Sequence, residues 1–196
     1  PTMTAIHHQR YYVMKKTGLI VIDLQNDYLP DGKLPLSGIE AATANAAKVI
    51  ADARAKGVTV FHVRHESVSS DAPLFAADSS GAQIQTRVAP IEGEPVIVKR
   101  HINAFRETDL KQQLDQHGID DIVVIGAMSH MCVDACVRAA VDMGYPVTVL
   151  HDACATLDLE FNGITTPAAQ VHAAMMAAFE FGYCDVISTQ AYLAAE

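Results

Sequence analysis

Apolar residues gather in six short continuous runs instead of alternating with polar ones. The runs are Gly18–Asp23 (GLIVID), Gly57–Val63, Pro95–Lys99, Asp121–Gly126, Tyr145–Leu150 and Cys184–Ser188, most of them rich in Val and Ile. A continuous β-branched run predicts a strand buried on both faces, the habit of a parallel sheet. Between the runs, apolar positions recur at helical spacing. Helices are expected over Glu40–Lys56, Glu107–His117, His130–Met143 and Pro167–Phe181, each followed directly by a glycine, the usual helix terminator. Strand and helix in alternation predict an α/β protein. The expected form is a three-layer α/β/α sandwich around a six-stranded, mostly parallel sheet of Rossmann-like order 3-2-1-4-5-6. Two stretches lack either period, Arg64–Glu94 and the shorter Ala153–Thr166. A structureless segment of the first length inside a compact domain is usually functional or disordered. With no repeat and no linker, residues 1–196 read as a single domain, with 1–16 as an N-terminal extension.

Composition narrows the function. Half of the 196 residues are hydrophobic and 19% are charged, which excludes a disordered segment or a coiled coil. The net charge of -9 argues against nucleic acid and against an anionic membrane surface, since both select for basic patches. No apolar run approaches the ~18 residues of a membrane span. The first residues, PTMTAIHHQRYYVMKK, lack the apolar core of a secretion signal, so a cytoplasmic location is expected. The four cysteines, Cys132, Cys136, Cys154 and Cys184, are then expected to be reduced thiols.

In an open α/β sheet, ligands bind beyond the carboxyl ends of the strands. The residues there include Asp23, Gln25 and Asp27 after the first run, and Arg64 and His65 after the second. Lys99 closes the third, and Ser129, His130 and Cys132 follow the fourth. Ser129 reads as an N-cap that would put Cys132 in the first turn of a helix, where unpaired N–H groups favour a thiolate. An acid, a lysine and a thiol at three strand ends form a working set for thiol-based acyl transfer. The acid takes the thiol proton, and the lysine favours the developing anion. His130 lies two residues before the thiol, and i, i+2 side chains on a helix do not meet. Asp27 reads as a turn residue.

At these residues the chain resembles the isochorismatase-like cysteine hydrolase superfamily, which includes nicotinamidases and N-carbamoylsarcosine amidases. The resemblance rests on IVIDLQNDYL around Asp23, VIVKRHINAFRETDL around Lys99 and VVIGAMSHMCVDACVRAAVDMGYPVTVLHDACAT around Cys132. It implies a triad of Cys132 as nucleophile, Asp23 as general base and acid, and Lys99 as electrostatic partner. It also implies a cis peptide at Ala127–Met128 and an oxyanion hole from the N–H groups of Met128 and Cys132. Gln25, Arg64, Phe105 and Ala127 are expected around the pocket, with Arg64 a candidate for binding a substrate carboxylate.

The metal-binding members of the superfamily carry an aspartate near two histidines. Here the matching stretch is FHVRHES, whose His62 and His65 should face opposite ways, so no metal and no cofactor is expected. The expected reaction is hydrolysis of a small-molecule amide or carbamoyl C–N bond through a thioester. Two other readings stand beside it: a vinyl-ether hydrolase using Asp23 without the thiol, and a non-catalytic α/β binding module. For the latter, the first strand lacks a G-x-G-x-x-G turn. Helix Pro167–Phe181 carries one charge, Glu180, and its face around Met175, Met176 and Phe179 is expected to meet a second copy in a homodimer or homotetramer. One strain attends the triad. In the expected order Lys99 ends the outermost strand, two strands from Asp23, and must reach inward across the sheet end.

Overall fold

The computed structural model describes residues 15–195, so all but two residues of the expected N-terminal extension lie outside the described residues. Six strands form one sheet: β1 (Thr17–Ile22), β2 (Thr59–His65), β3 (Val96–Lys99), β4 (Asp121–Ala127), β5 (Val147–Ala155) and, after a separate hairpin, β8 (Asp185–Ile187). The order is β3-β2-β1-β4-β5-β8, with every neighbouring pair parallel. The expected order therefore holds, with β8 as its sixth strand. The order reverses between β1 and β4, and their carboxyl ends bear Asp23 and the Cys132 turn.

The continuous apolar runs serve both faces of the sheet at once. In β1, Leu19 and Val21 join one core with α1 (Ile39–Ala55). Ile20 and Ile22 join the other, with α2 (Leu110–Gln116), α3 (Asp134–Asp142) and α4 (Ala168–Gly182). Each such side chain contributes about 1.5–3 kcal/mol of burial. A short helix, α5 (Thr189–Ala194), capped by the Ser188 hydroxyl, was not expected, and its Tyr192 packs on the α1 side.

Near its end β4 bulges. Its register against β5 jumps between Val124 and Gly126. Gly126 has φ 132°, and a Cβ there would sit 2.0 Å from the carbonyl oxygen of Ile22. Only glycine fits so close an approach, and the bend turns the chain into the Cys132 segment. Gly126→Ala is expected to cost more than ~3 kcal/mol, from a left-handed φ and a backbone overlap together. Thermal unfolding of the purified variant checks this; an unchanged Tm contradicts it.

Two expectations are corrected here. Residues 153–166 are not a loop: β5 runs on to Ala155, and an antiparallel hairpin follows, β6 (Leu159–Phe161) with β7 (Ile164–Thr166). In α4, Met176 and Phe179 face the sheet and are buried, so they are not available to a second copy. Exposed apolar surface lies instead at Phe161, Ile164 and Phe181. An amphipathic reading of so apolar a helix could not tell which stripe the sheet covers.

Finally, residues 66–95 hold little regular structure yet are tied down. The Asp27 carboxylate accepts the Phe75 N–H at 2.7 Å, in keeping with a turn role. The Gln25 amide donates to the carbonyls of His65 and Ala82 and accepts the His65 N–H. Glu94 pairs with Arg54 and His62, and its carboxyl is held down at about 2 by these partners against the opposing pull of burial.

Candidate active site

The residue after β1, Asp23, has φ 50°, a left-handed conformation that is uncommon outside glycine. Its N–H donates to Val63 at the end of β2, and its side chain is wholly buried. Carboxylate Oδ2 lies 2.8 Å from Lys99 Nζ. That contact is an ion pair by distance, but neither carboxylate oxygen receives a well-aligned hydrogen bond among the described residues. A fully buried carboxylate with this much unused acceptor capacity is costly to fold.

Lys99 resolves the reach problem. As the last residue of β3 it sits in register with His65, and its extended side chain crosses the end of β2. Nζ lies 3.0 Å from His65 Nδ1, 3.2 Å from the His101 carbonyl and 3.2 Å from Cys132 Sγ, besides the contact to Asp23. Four acceptors surround three ammonium protons. Burial alone would pull the Lys99 pKa down, but the Asp23 charge, with the Cys132 sulfur also against the ammonium, outweighs it, and the group is held above its usual value.

Cys132 does not open an α-helix, as the sequence suggested. It lies in one π-helical turn, Ser129–Val133, inserted between β4 and α3. Such turns recur at functional sites. Ser129 is not a cap: its hydroxyl bonds His172 Nδ1 at 2.8 Å and the Ala155 carbonyl at 3.3 Å, tying the turn to α4 and β5. His130 turns to the Thr156 hydroxyl at 2.7 Å. The Ala127–Met128 peptide is cis. The Met128 carbonyl accepts the N–H groups of Met131 and Val133, while among the described residues no loop, turn or side-chain acceptor takes those of Met128 and Cys132. Burial pushes the Cys132 thiol up, the Asp23 charge adds to it, and Lys99 only partly offsets them. The resting group is thus a thiol, not the preformed thiolate that a helix N-terminus would favour.

Ligand atoms of Asp23, His65 and Cys132 all lie within 4.8 Å of one another, a spacing that could hold a metal ion. The Lys99 ammonium already sits against all three, so a cation does not fit there. His62, as its strand position predicts, points elsewhere, to Glu94 at 2.9 Å.

Beside Cys132 is a cavity of about 180 Å³ lined by Tyr28, His65, Ser67, Leu74, Phe75, Ile102, Met128, Met131 and Cys132. The structure places the four expected pocket residues elsewhere. Gln25 is buried in its loop bonds, Arg64 pairs with Glu66 at 3.0 Å, Phe105 packs against the helical core, and Ala127 is fully buried in the α1-side core. Sequence reading missed Tyr28, Phe75 and Ile102, which reach the cavity from a 3₁₀ turn and from loops with no periodic signal. His65 carried one usable signal, its place at the end of β2.

A description of the isochorismatase domain matches residues 17–190. The isochorismatase family protein YddQ of Bacillus subtilis is 46% identical over 177 residues, 90% of this chain and 98% of that protein. N-carbamoylsarcosine amidase of Arthrobacter sp. is 32% identical over 165 residues, 72% of this chain and 62% of the amidase. The solved isochorismatase-hydrolase structure from Oleispira antarctica superposes with a TM-score of 0.90 at 50% identity, covering 99% of this chain and all of that one, 100%. With a buried thiol, lysine and carboxylate gathered at its strand ends, this chain belongs to the isochorismatase family and is a hydrolase.

Proposed function

We propose that this hydrolase cleaves a small amide or carbamoyl C–N bond through a thioester on Cys132. The observation that carries the reading is the convergence of one ammonium on both a carboxylate and a thiol, with Lys99 Nζ 2.8 Å from Asp23 and 3.2 Å from Cys132 at zero or near-zero exposure. An amidase among the relatives supports the bond type.

In the first half-reaction the thiol proton passes to Asp23 as sulfur bonds to the carbonyl carbon. The oxyanion is received by the N–H groups of Met128 and Cys132, which have no loop, turn or side-chain acceptor among the described residues. When the intermediate collapses, the C–N bond breaks, and Asp23 returns its proton to the departing nitrogen. In the second half, Asp23 takes a proton from water as its oxygen bonds to the acyl carbon. The C–S bond then breaks, and the thiolate recovers the proton. Lys99 keeps its charge throughout and balances whichever of Asp23 and Cys132 is anionic.

The test is ammonia or amine release from a panel of small amides and carbamoyl compounds, run beside an enol-ether substrate. Amide hydrolysis is the expected result. Ether cleavage alone, undiminished in Cys132→Ala, would replace this reading with the Asp23-only one.

A further inference from the structure

We infer that His65 is the donor that seats the substrate, and that the substrate is a small uncharged amide with an apolar acyl group. This rests on the reading of Cys132 as nucleophile given above and names the substrate class of that site.

An ammonium has no lone pair, so the 3.0 Å contact between Lys99 Nζ and His65 Nδ1 requires that Nδ1 be the acceptor. The neutral ring must then carry its proton on Nε2. Burial, reinforced by the Lys99 charge, lowers the basicity of this histidine and keeps the ring neutral. Among the described residues Nε2 has no hydrogen-bond partner, and His65 forms part of the wall of the cavity beside Cys132. The lysine thus fixes an unpartnered N–H donor at the site. A substrate acceptor atom satisfies it.

The rest of the wall decides the charge of the ligand. Leu74, Phe75, Ile102, Met128 and Met131 are apolar. The Ser67 hydroxyl already donates to the Leu74 carbonyl at 2.8 Å. Tyr28 stays a neutral phenol, its pKa raised by burial and by the neighbouring Asp23. Among the described residues no Lys, Arg, Asp or Glu lines the cavity. The Lys99 ammonium has its protons engaged by protein acceptors, and Arg64, which is outside the lining, pairs its Nη2 with Glu66 while its buried Nη1 has no partner among the described residues. A carboxylate-bearing substrate would lie in this cavity with no counter-charge, which buried anions do not tolerate.

Two alkylating agents of the same shape, iodoacetamide and iodoacetate, test the charge claim on the unaltered protein. Modification of Cys132 is followed by peptide mass spectrometry, with free cysteine as the reference. The iodoacetamide rate is expected to exceed the iodoacetate rate by about 100-fold more than it does for free cysteine. A ratio equal to that of free cysteine, or a preference for iodoacetate, overturns the inference.

Protection of Cys132 from iodoacetamide tests His65. Benzamide is expected to protect and benzoate to fail. Histidine to asparagine keeps an acceptor for Lys99 but lacks the far donor, so His65→Asn should weaken benzamide protection about tenfold, and His65→Gln, which reaches further with an N–H, should recover part of it. Protection by benzamide that is absent in the unaltered protein, or unchanged in His65→Asn, contradicts the donor role. If neither reagent modifies Cys132 while Cys184 is modified, the nucleophile reading itself has failed, and this inference falls with it.

Discussion

Cys132→Ala is expected to lower kcat/KM by at least ~10⁴-fold, because the substituted side chain cannot form the thioester and no neighbouring group replaces it. The loss should be one of chemistry rather than of folding. Cys132 is 4% exposed at the edge of the helical core, and removing one sulfur there leaves a void smaller than a methylene pair, worth about 1 kcal/mol. Cys132→Ser should also fall far below the unaltered enzyme, since a hydroxyl is a poorer nucleophile and a harder acid for Asp23 to deprotonate. Cys136→Ala is the control. Cys136 lies one turn further on, wholly buried, with its thiol pushed up to about 12 by burial, and nothing reactive reaches it. Its variant should keep kcat/KM within about threefold while losing some stability. Steady-state rates and melting curves on the three variants check the pattern. Equal loss of activity in Cys132→Ala and Cys136→Ala would mean that packing, not nucleophilicity, was measured.

Asp23→Asn should separate two quantities that usually move together. Turnover is expected to drop by about 10²–10⁴-fold, because the amide cannot accept the thiol proton or return it to the leaving nitrogen. Thiolate formation should become easier. The Asp23 charge is the second cause, after burial, of the high thiol pKa, and removing it leaves the buried Lys99 ammonium without a carboxylate. The Cys132 thiolate, 3.2 Å away, then becomes its natural counter-ion. The pH profile of alkylation at Cys132 should therefore move to lower pH in Asp23→Asn. The direction follows from the sign of each charge: an anion beside a thiol raises its pKa, and a cation lowers it. Lys99 itself is held above its ordinary value, so it stays charged through the range in which the profile is read. A profile that moved to higher pH would mean that Asp23 favours the thiolate in the resting enzyme, as a helix N-terminus would have done alone.

The fold was largely legible because doubly buried strands leave an unambiguous mark. GLIVID and DIVVIG could be little else, and the acid, lysine and thiol were findable because α/β sheets gather their chemistry at strand ends. What could not be read depends on contacts between distant segments. The π-helical turn holding Cys132 is set by Ser129 reaching α4 and β5, whereas locally Ser129 looks like any N-cap. Gln25, adjacent in the chain to the site, is used to hold residues 66–95, and nothing in DLQNDY announces that. Arg64 is paired by its near neighbour Glu66, an outcome that strand geometry allowed but did not require. The hairpin at 159–166 spans only three paired residues on each side, too short for a periodic signal.

The central claim is a covalent one, and the most direct measurement is the mass of the enzyme during turnover. A reaction with a hydrolysed amide is quenched in acid within its first turnovers, digested and analysed by mass spectrometry. The account predicts that the peptide bearing Cys132 carries the mass of the acyl group, that hydroxylamine at neutral pH removes it as expected of a thioester, and that the same peptide from Cys132→Ala stays unmodified. An amide hydrolysed at full rate by the Cys132→Ala enzyme, with no acyl mass on any peptide of the unaltered one, would contradict it.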